Sequence, residues 1–137
     1  VLAGGVVGGM PAAGAFVAPS LLCEEEPSSP LIQEEFFGPV LNIERFRSDS
    51  HAVELANCTR YGLSASVWTA DFARAHRIAR KLRSGTVWIN EHNRLFVEVE
   101  TGGFRESGFG RLHGVEGLSD FLATKHVFQP HGLLGTP

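Results

Sequence analysis

The pattern of hydrophobic and polar positions switches repeatedly, along most of the chain, between strand-like and helix-like runs. Short β-prone runs predict three strands, at residues 40–46, 64–69 and 86–90. Apolar spacing predicts a short helix at residues 51–59 and a second, strongly amphipathic helix that begins at Asp71. The predicted order of elements is therefore β-α-β-α-β.

Local signals mark the ends of the two predicted helices. Each residue of the Ser-Asp-Ser sequence at 48–50 can cap the first helix by accepting a hydrogen bond from an early backbone N–H. The second helix carries apolar residues at spacings of three and four, namely Phe72, Ala75, Ala79 and Leu82. We expect Gly85 to supply the left-handed conformation that commonly follows a helix end.

The connections between the predicted strands indicate the type of sheet. Strands joined by helical crossovers of this length run parallel when they share a sheet, and right-handed crossovers place both helices on one face. We therefore predict an α/β fold with an open, mainly parallel sheet. After the sheet come a glycine-rich loop at residues 91–114, a helix at 115–124 and a short strand at 125–129. A loop this long inside a compact domain is normally functional or packed on something that is absent from the chain.

The length and charge of the chain limit its function classes. It has 137 residues, 43% of them hydrophobic and 20% charged, which corresponds to one globular domain. A formal net charge of -3 offers no overall attraction for nucleic acid or anionic lipid. Five cations crowd one predicted helix: Arg74, Arg77, Arg80, Lys81 and Arg83. They fit a solvated outer face better than an anion-binding stripe, because they lie opposite the apolar face without interleaved aromatic residues.

The N-terminal region and the cysteines bear on cellular location. The first 23 residues carry no charge, and glycines and prolines interrupt every apolar run, so neither a membrane span nor a signal peptide fits. Because the chain opens at Val1 into glycine-rich apolar sequence, we expect it to begin in the middle of a fold. Its two cysteines, Cys23 and Cys58, are too few for a disulfide framework and favour a cytoplasmic location.

Composition and spacing alone predict no catalytic or metal centre. Cys58 lies late in a predicted helix, where the helix dipole disfavours a thiolate, and three carboxylates follow Cys23 directly. The six histidines show no spacing that would gather two of them on one helix face. The glycines at residues 102–110 lack the flanking residues of a phosphate-binding loop and predict a structural loop instead.

Four blocks of sequence carry a more specific signal. They read EEFFGPV at residues 34–40, YGLSA at 61–65, GTVWIN at 85–90 and GGFRESGFGR at 102–111. In this order and spacing they resemble the aldehyde dehydrogenase superfamily. The resemblance covers about residues 14–127, and it implies that the chain is the C-terminal part of the catalytic domain of a much longer enzyme.

The resemblance implies a reaction but places its catalytic residues elsewhere. Enzymes of this family oxidise an aldehyde to a carboxylic acid with NAD or NADP, through a cysteine thiohemiacetal, hydride transfer and hydrolysis of a thioester. This chain contains neither the Gly-Gln-x-Cys sequence around the family nucleophile nor the Glu-Leu-Gly-Gly sequence of the general base. We therefore expect no catalytic residue in this chain, and no activity from it alone.

Two residues of the first block are implied to contact the cofactor. Glu35 matches the family glutamate that accepts hydrogen bonds from the nicotinamide ribose hydroxyls, and a carboxylate can accept two such bonds at once. Phe37 matches the aromatic residue that rests against the nicotinamide ribose and ring. Without the motif, Glu35 fits an exposed carboxylate and Phe37 a core residue. The Gly38-Pro39 sequence that follows favours the cofactor role.

The loop at residues 91–101 corresponds to the family segment that lines the aldehyde entrance. It makes Leu95, Phe96 and Thr101 candidate pocket residues, and Leu95 and Phe96 fit a core role equally well. Where the family often has proline and an aromatic residue, this chain has Glu100 and Thr101. Threonine cannot hold a quaternary ammonium by cation–π attraction, as betaine-aldehyde-type members do. The betaine-aldehyde-like and general aldehyde groups both stay open.

The end of the chain corresponds to a family segment that takes part in subunit association. Such an extended edge adds to a neighbouring sheet. The resemblance thus divides the chain into a catalytic-domain portion at residues 1–124 and an association strand and tail at 125–137, and it implies a homodimer or homotetramer. The alternative hypothesis is a non-catalytic interaction module that docks on full-length subunits. An upstream reading frame that encodes Gly-Gln-x-Cys would favour the enzyme segment.

Overall fold

The fold is α/β, as predicted, and the described residues form four short strands and four short helices. The structure, a computed structural model, describes residues 1–4 and 14–129. The strands are β1 (Ser20–Leu22), β2 (Val40–Asn42), β3 (Ser64–Val67) and β4 (Thr86–Ile89). The helices are α1 (Pro30–Gln33), α2 (Asp49–Ala56), α3 (Phe72–Ala79) and α4 (Gly114–Ser119), with a 3-10 turn at Arg105–Ser107 between β4 and α4.

The strands form two separate parallel pairs. Strand β1 pairs with β2, with Ser20 opposite Val40, and β3 pairs with β4, with Ser64 opposite Thr86. The prediction of parallel strands is confirmed, but the prediction that β2, β3 and β4 share one sheet is wrong among the described residues. Strand β2 pairs instead with β1, which lies in a segment where no strand is predicted.

Side-chain caps explain where α2 and α3 begin. The Ser48 hydroxyl accepts the backbone N–H of His51 at 3.2 Å, and the Asp71 carboxylate accepts that of Arg74 at 2.9 Å. Both caps satisfy N–H groups that have no partner within their helix. The predicted helix starts are therefore confirmed to within two residues.

The role predicted for Gly85 is wrong. Helix α3 ends at Ala79, and Gly85 is not among the glycines with positive φ. Instead, the Gly85 N–H donates to the Gly62 carbonyl at 3.0 Å, and a Cβ atom at Gly85 would overlap the carbonyl oxygen of Gly102. Close approach of two backbone segments, and not helix termination, requires glycine here.

The C-terminal elements are shorter than predicted. Helix α4 ends at Ser119, whereas the apolar pattern predicts a helix through residue 124. The next apolar side chains, Phe121 and Leu122, are 86% and 65% exposed, and a short helix without a surface to pack on has little to stabilise it. The strand predicted at residues 125–129 is wrong for this structure, since these residues pair with no described strand.

Very little apolar surface is buried. Among the described residues, the buried hydrophobic side chains are Val67 and Ala75. The accessible surface is 11087 Å², whereas a compact monomer of 14.8 kDa exposes about 7,000 Å². No helix of the described part of the chain has the length and apolar content needed to cross a membrane. The fold therefore presents extensive apolar surface that a soluble monomer normally covers.

Candidate functional site

The glycine-rich block at residues 102–110 packs against the start of the second block. The Phe104 N–H donates to the Gly62 carbonyl at 2.8 Å, and the Gly62 N–H donates to the Ser107 hydroxyl at 2.9 Å. A Cβ atom at Gly103 would lie 2.5 Å from that of Ser107. The block thus forms a shaped structural loop, joined by backbone hydrogen bonds to the segment before β3.

Arg105, at the start of the 3-10 turn, binds backbone carbonyls of two other segments. Its guanidinium donates to the carbonyls of Asn57 (3.2 Å) and Thr59 beyond α2, and to that of Arg83 beyond α3 (3.4 Å). Its backbone has φ +53°, in the left-handed region. Because the five guanidinium N–H groups can donate to several acceptors, one side chain holds both chain segments in place.

Arg60 joins the first block to the fourth. Its guanidinium lies 2.7 Å from the Glu34 carboxylate and 3.2 Å from that of Glu106, and it donates to the Tyr61 hydroxyl at 3.0 Å. These groups are 46–64% exposed, so solvent screens the ion pairs. Glu34 also ends α1, where its N–H donates to the Pro30 carbonyl. Arg60 thereby fixes the residue directly before Glu35.

Glu35 lines a surface pocket of about 370 Å³. The pocket's other lining residues are Tyr61, Leu63, Glu106 and Ser107. Within the described residues, the Glu35 carboxylate has no hydrogen bond or ion pair, although its neighbours Glu34 and Glu106 both pair with Arg60. Both Glu35 oxygens are therefore available to accept hydrogen bonds from a ligand.

Phe37 does not line this pocket. Its side chain is 98% exposed, which rules out the core alternative in this structure. The next residue, Gly38, donates its N–H to the Phe36 carbonyl at 2.7 Å, and this tight turn presents Phe37 on the surface. The ring is thus exposed to solvent in this structure.

The loop at residues 91–101 carries Leu95 and Phe96 near its middle. These side chains are 50% and 51% exposed, so neither is a core residue here. The Arg94 guanidinium lies 5.2 Å from the centre of the Phe96 ring and occupies one face of it. The other predicted wall residue, Thr101, forms a backbone bridge with Leu112 and lies at the foot of the loop.

Neither cysteine has the surroundings of a nucleophile. Burial raises the pKa of the Cys58 thiol, and the nearby Glu44 carboxylate raises it further. Both thiols are free, and Cys23 is exposed. In the part of the chain that the structure describes, no three histidine, cysteine or acidic side chains gather as metal ligands.

The structure brings together some of the predicted site residues and separates others. Glu35 meets the fourth block at Glu106 and Ser107, whereas Leu95, Phe96 and Thr101 lie on a different loop. Sequence reasoning missed Arg60 and Arg105, which hold these segments. Arg105 lies within one of the four sequence blocks, and Arg60 lies directly before another. A cation in or next to such a block was the sequence signal that could have indicated these contacts.

Comparisons with known proteins identify the family of the chain. A sequence model of the aldehyde dehydrogenase family matches residues 1–127. The chain is 42% identical to the betaine aldehyde dehydrogenase of Bacillus subtilis over 116 residues, 85% of this chain and 24% of that protein. It is 40% identical to the NADP/NAD-dependent aldehyde dehydrogenase PuuC of Escherichia coli over 114 residues, 83% of this chain and 23% of that protein.

Solved structures give the same result. A betaine aldehyde dehydrogenase from Staphylococcus aureus in complex with NAD+ matches with a TM-score of 0.80 and 38% identity, over 90% of this chain and 25% of that one. The chain thus spans about a quarter of the length of these relatives. The resemblance found in the four sequence blocks is confirmed, and the chain belongs to the aldehyde dehydrogenase family.

Proposed function

We propose that this chain is the C-terminal catalytic-domain segment of a cytoplasmic NAD(P)-dependent aldehyde dehydrogenase that oxidises an aldehyde to a carboxylic acid. In that enzyme it supplies a contact to the nicotinamide ribose and part of the aldehyde entrance. The observation that carries the proposal is the Glu35 carboxylate, which lines a pocket, has no partner among the described residues and follows a residue that Arg60 holds.

The surroundings of Glu35 fit a ribose. Two neighbouring ribose hydroxyls can each donate to one carboxylate oxygen, and Glu35 has no competing partner among the described residues. Phe37 presents its exposed ring two residues further on, where it can rest against the nicotinamide. When bound, NAD(P)+ supplies the hydride acceptor of the oxidation. The task of Glu35 and Phe37 is to orient it, since the geometry of the reacting groups controls the rate.

The chain contributes no nucleophile or general base in this proposal. Cys58 has a raised pKa, which keeps its thiol protonated at neutral pH. Neither family sequence that carries the catalytic cysteine or glutamate occurs here. The chain alone is therefore inactive, and its residues act by binding and positioning.

Leu95, Phe96 and Thr101 form part of the aldehyde entrance. The exposed side chains of Leu95 and Phe96 offer apolar contacts to the aldehyde's hydrocarbon part. Thr101 supplies no aromatic face, and Arg94 covers one face of the Phe96 ring. These features favour a general aldehyde over a quaternary ammonium aldehyde, although several relatives are named betaine aldehyde dehydrogenases.

The complete enzyme is a homodimer or homotetramer in this proposal, with residues 125–137 as the association segment. Val127 and Phe128 are 80% and 77% exposed, which suits burial against a second subunit. The same exposed apolar surface also supports the alternative, a non-catalytic module that docks on full-length subunits.

Activity of the complete enzyme tests the proposal. The reading frame that contains this chain is expressed, and NAD(P)H formation is followed with a panel of aliphatic, aromatic and trimethylammonium aldehydes. We expect turnover with NAD or NADP. If no aldehyde yields NAD(P)H, or if the frame encodes no Gly-Gln-x-Cys sequence, the interaction-module alternative replaces the proposal.

A further inference from the structure

Glu100 binds the start of α4 from outside the helix. Its Oε1 atom accepts the N–H of Val115 at 3.0 Å and that of Glu116 at 3.4 Å. The N-cap residue of α4, His113, makes no side-chain capping bond of its own. Glu100 therefore supplies the acceptor that a capping side chain normally provides.

The residues around Glu100 bind the same segment. The Thr101 and Leu112 backbones exchange two hydrogen bonds, of 2.8 and 2.7 Å, and the Thr101 hydroxyl lies 3.0 Å from Nδ1 of His113. The Gly114 N–H donates to the Val97 carbonyl at 3.0 Å. We call this set of contacts between residues 97–101 and 112–116 the loop clamp.

Gly114 is required for the loop clamp on two grounds. Its φ is +57°, and a Cβ atom at this position would overlap the Glu100 carboxylate. Glycine therefore provides both the backbone conformation and the space that the carboxylate fills.

The other end of the loop at residues 91–101 is also held, by contacts with β3 and β4. The Ser66 hydroxyl lies 2.9 Å from Nδ1 of His92, and the Trp88 indole N–H donates to the Arg94 carbonyl at 2.8 Å. With both ends fixed, the position of Leu95 and Phe96 between them depends on the loop clamp. Without the clamp, only the end near β4 would be held.

We propose that Glu100 is a positioning residue for the aldehyde entrance, which sets the place of Leu95, Phe96 and Thr101 by holding their loop to α4. This inference rests on the proposed function, in which those residues face the aldehyde. It assigns to Glu100 an effect on aldehyde recognition and none on the cofactor, because Glu35 lies on a different segment.

The test compares Glu100→Ala and Glu100→Gln with a matched control in the complete enzyme. The control is Glu98→Ala, which removes a glutamate of the same loop whose side chain has no partner among the described residues. The hydrogen-exchange rates of the Val115 and Glu116 amides report directly on the hydrogen bonds to Glu100. Separate KM values for aldehyde and cofactor show whether loss of these hydrogen bonds affects aldehyde recognition alone.

We expect Glu100→Ala to speed exchange of these amides about two- to thirtyfold, the range for loss of a cap. It should raise the aldehyde KM about threefold or more and leave the cofactor KM unchanged. Glu100→Gln keeps one weaker acceptor and should show a smaller change of the same kind. Glu98→Ala should change neither quantity.

Two results would overturn the proposal: exchange and aldehyde KM that match wild type in Glu100→Ala, or equal changes in both KM values, which indicate general destabilisation. If the wild-type enzyme oxidises no aldehyde, the proposed function fails, and the entrance role of Glu100 fails with it. The exchange measurement still shows whether Glu100 holds α4, so the two failures are distinguishable.

Discussion

The Nη2 atom of Arg60 lies 2.7 Å from the Oε2 atom of Glu34, a residue 26 positions earlier in the sequence. The same guanidinium reaches Glu106 in the glycine-rich block. Arg60 thus connects the segment that carries Glu35 to the 3-10 turn at Arg105–Ser107. This contact involves no reacting group, but it holds the residue directly before Glu35 against the glycine-rich block.

Replacing Arg60 should therefore weaken cofactor recognition. Arg60→Gln removes both ion pairs, and because the pairs are exposed we expect a modest effect, a cofactor KM about two- to fivefold higher with the aldehyde KM unchanged. Steady-state kinetics of the complete enzyme measure it. Arg80→Gln is the control, since the exposed Arg80 side chain has no partner within the described residues. Equal effects of the two substitutions would contradict a specific role for Arg60.

Gly85 should not tolerate a methyl group. Gly85→Ala places a Cβ atom against the Gly102 carbonyl, between two backbone segments that cannot move apart easily. We expect destabilisation of about 1–3 kcal/mol or more, or no folded enzyme. Gly38→Ala is the matched stability control, because no atom lies within 4 Å of its Cβ position. Chemical unfolding of both variants tests this, and equal midpoints would show that the close approach is absent.

The chain alone should not oxidise aldehydes. It holds no activated thiol, since burial raises the pKa of Cys58 and the exposed Cys23 lies beside three carboxylates. We expect no NAD(P)H from the isolated chain with any aldehyde of the panel. Turnover that is abolished by Cys58→Ala or Cys23→Ala would contradict this prediction.

Acid should break the ion pair between Asp49 of α2 and Arg74 of α3. The hydrogen bond from the Arg74 guanidinium lowers the pKa of Asp49, and the charges of Arg74, Arg77 and Lys81 lower it further. A lowered folded pKa means that Asp49 contributes to stability above its ordinary value of 3.8 and loses that contribution as the pH falls through the folded value.

We therefore expect Asp49→Asn to lower the unfolding midpoint of the complete enzyme at neutral pH, and the difference from wild type to vanish in strong acid. Glu54→Gln, on the same helix and without a partner among the described residues, should show no such pH dependence. A constant difference between wild type and Asp49→Asn at all pH values would contradict the ion-pair explanation.

Local features of this fold could be predicted from the sequence. The starts of α2 and α3 follow from Ser48 and Asp71, whose side chains bind N–H groups three residues ahead. Strands β3 and β4 begin where their β-prone runs begin and end two residues and one residue earlier, respectively. The contacts that form these elements join residues close together in the sequence, or neighbouring strands connected by one crossover.

Features that depend on distant contacts could not be predicted. Strand β1 is three residues long, and its existence depends on pairing with β2 some twenty residues later. Gly85 shows the same limit: a glycine after a helix predicts a cap, whereas only the fold reveals that the Gly102 carbonyl approaches it. Residues 125–129 have strand-like composition, but a strand also requires a neighbour to pair with.

The candidate site could likewise be predicted only in part from the sequence. The motif suggests Glu35 and Phe37 as candidates, but their availability follows from the structure. Arg60 pairs with Glu34 and Glu106, and Glu35 has no partner among the described residues. The loop clamp could not be predicted, because neither Glu100 nor Gly114 belongs to a motif that indicates their contact.

The most direct test of the account is hydride transfer in the Glu35→Gln variant of the complete enzyme. Glutamine keeps the shape of the side chain but would weaken both of the hydrogen bonds that we propose to the ribose. Loss of a charge-assisted hydrogen bond costs roughly 1.5–3 kcal/mol, so we expect the rate to fall on the order of ten- to a hundredfold.

The measurement is single-turnover formation of NAD(P)H at saturating aldehyde, with cofactor affinity measured separately and Glu25→Gln as the control. The rate should fall more than the affinity, because ring placement governs hydride transfer whereas the adenosine half contributes much of the binding. A wild-type rate with unchanged cofactor dependence would show that Glu35 is only a surface carboxylate and would contradict the account.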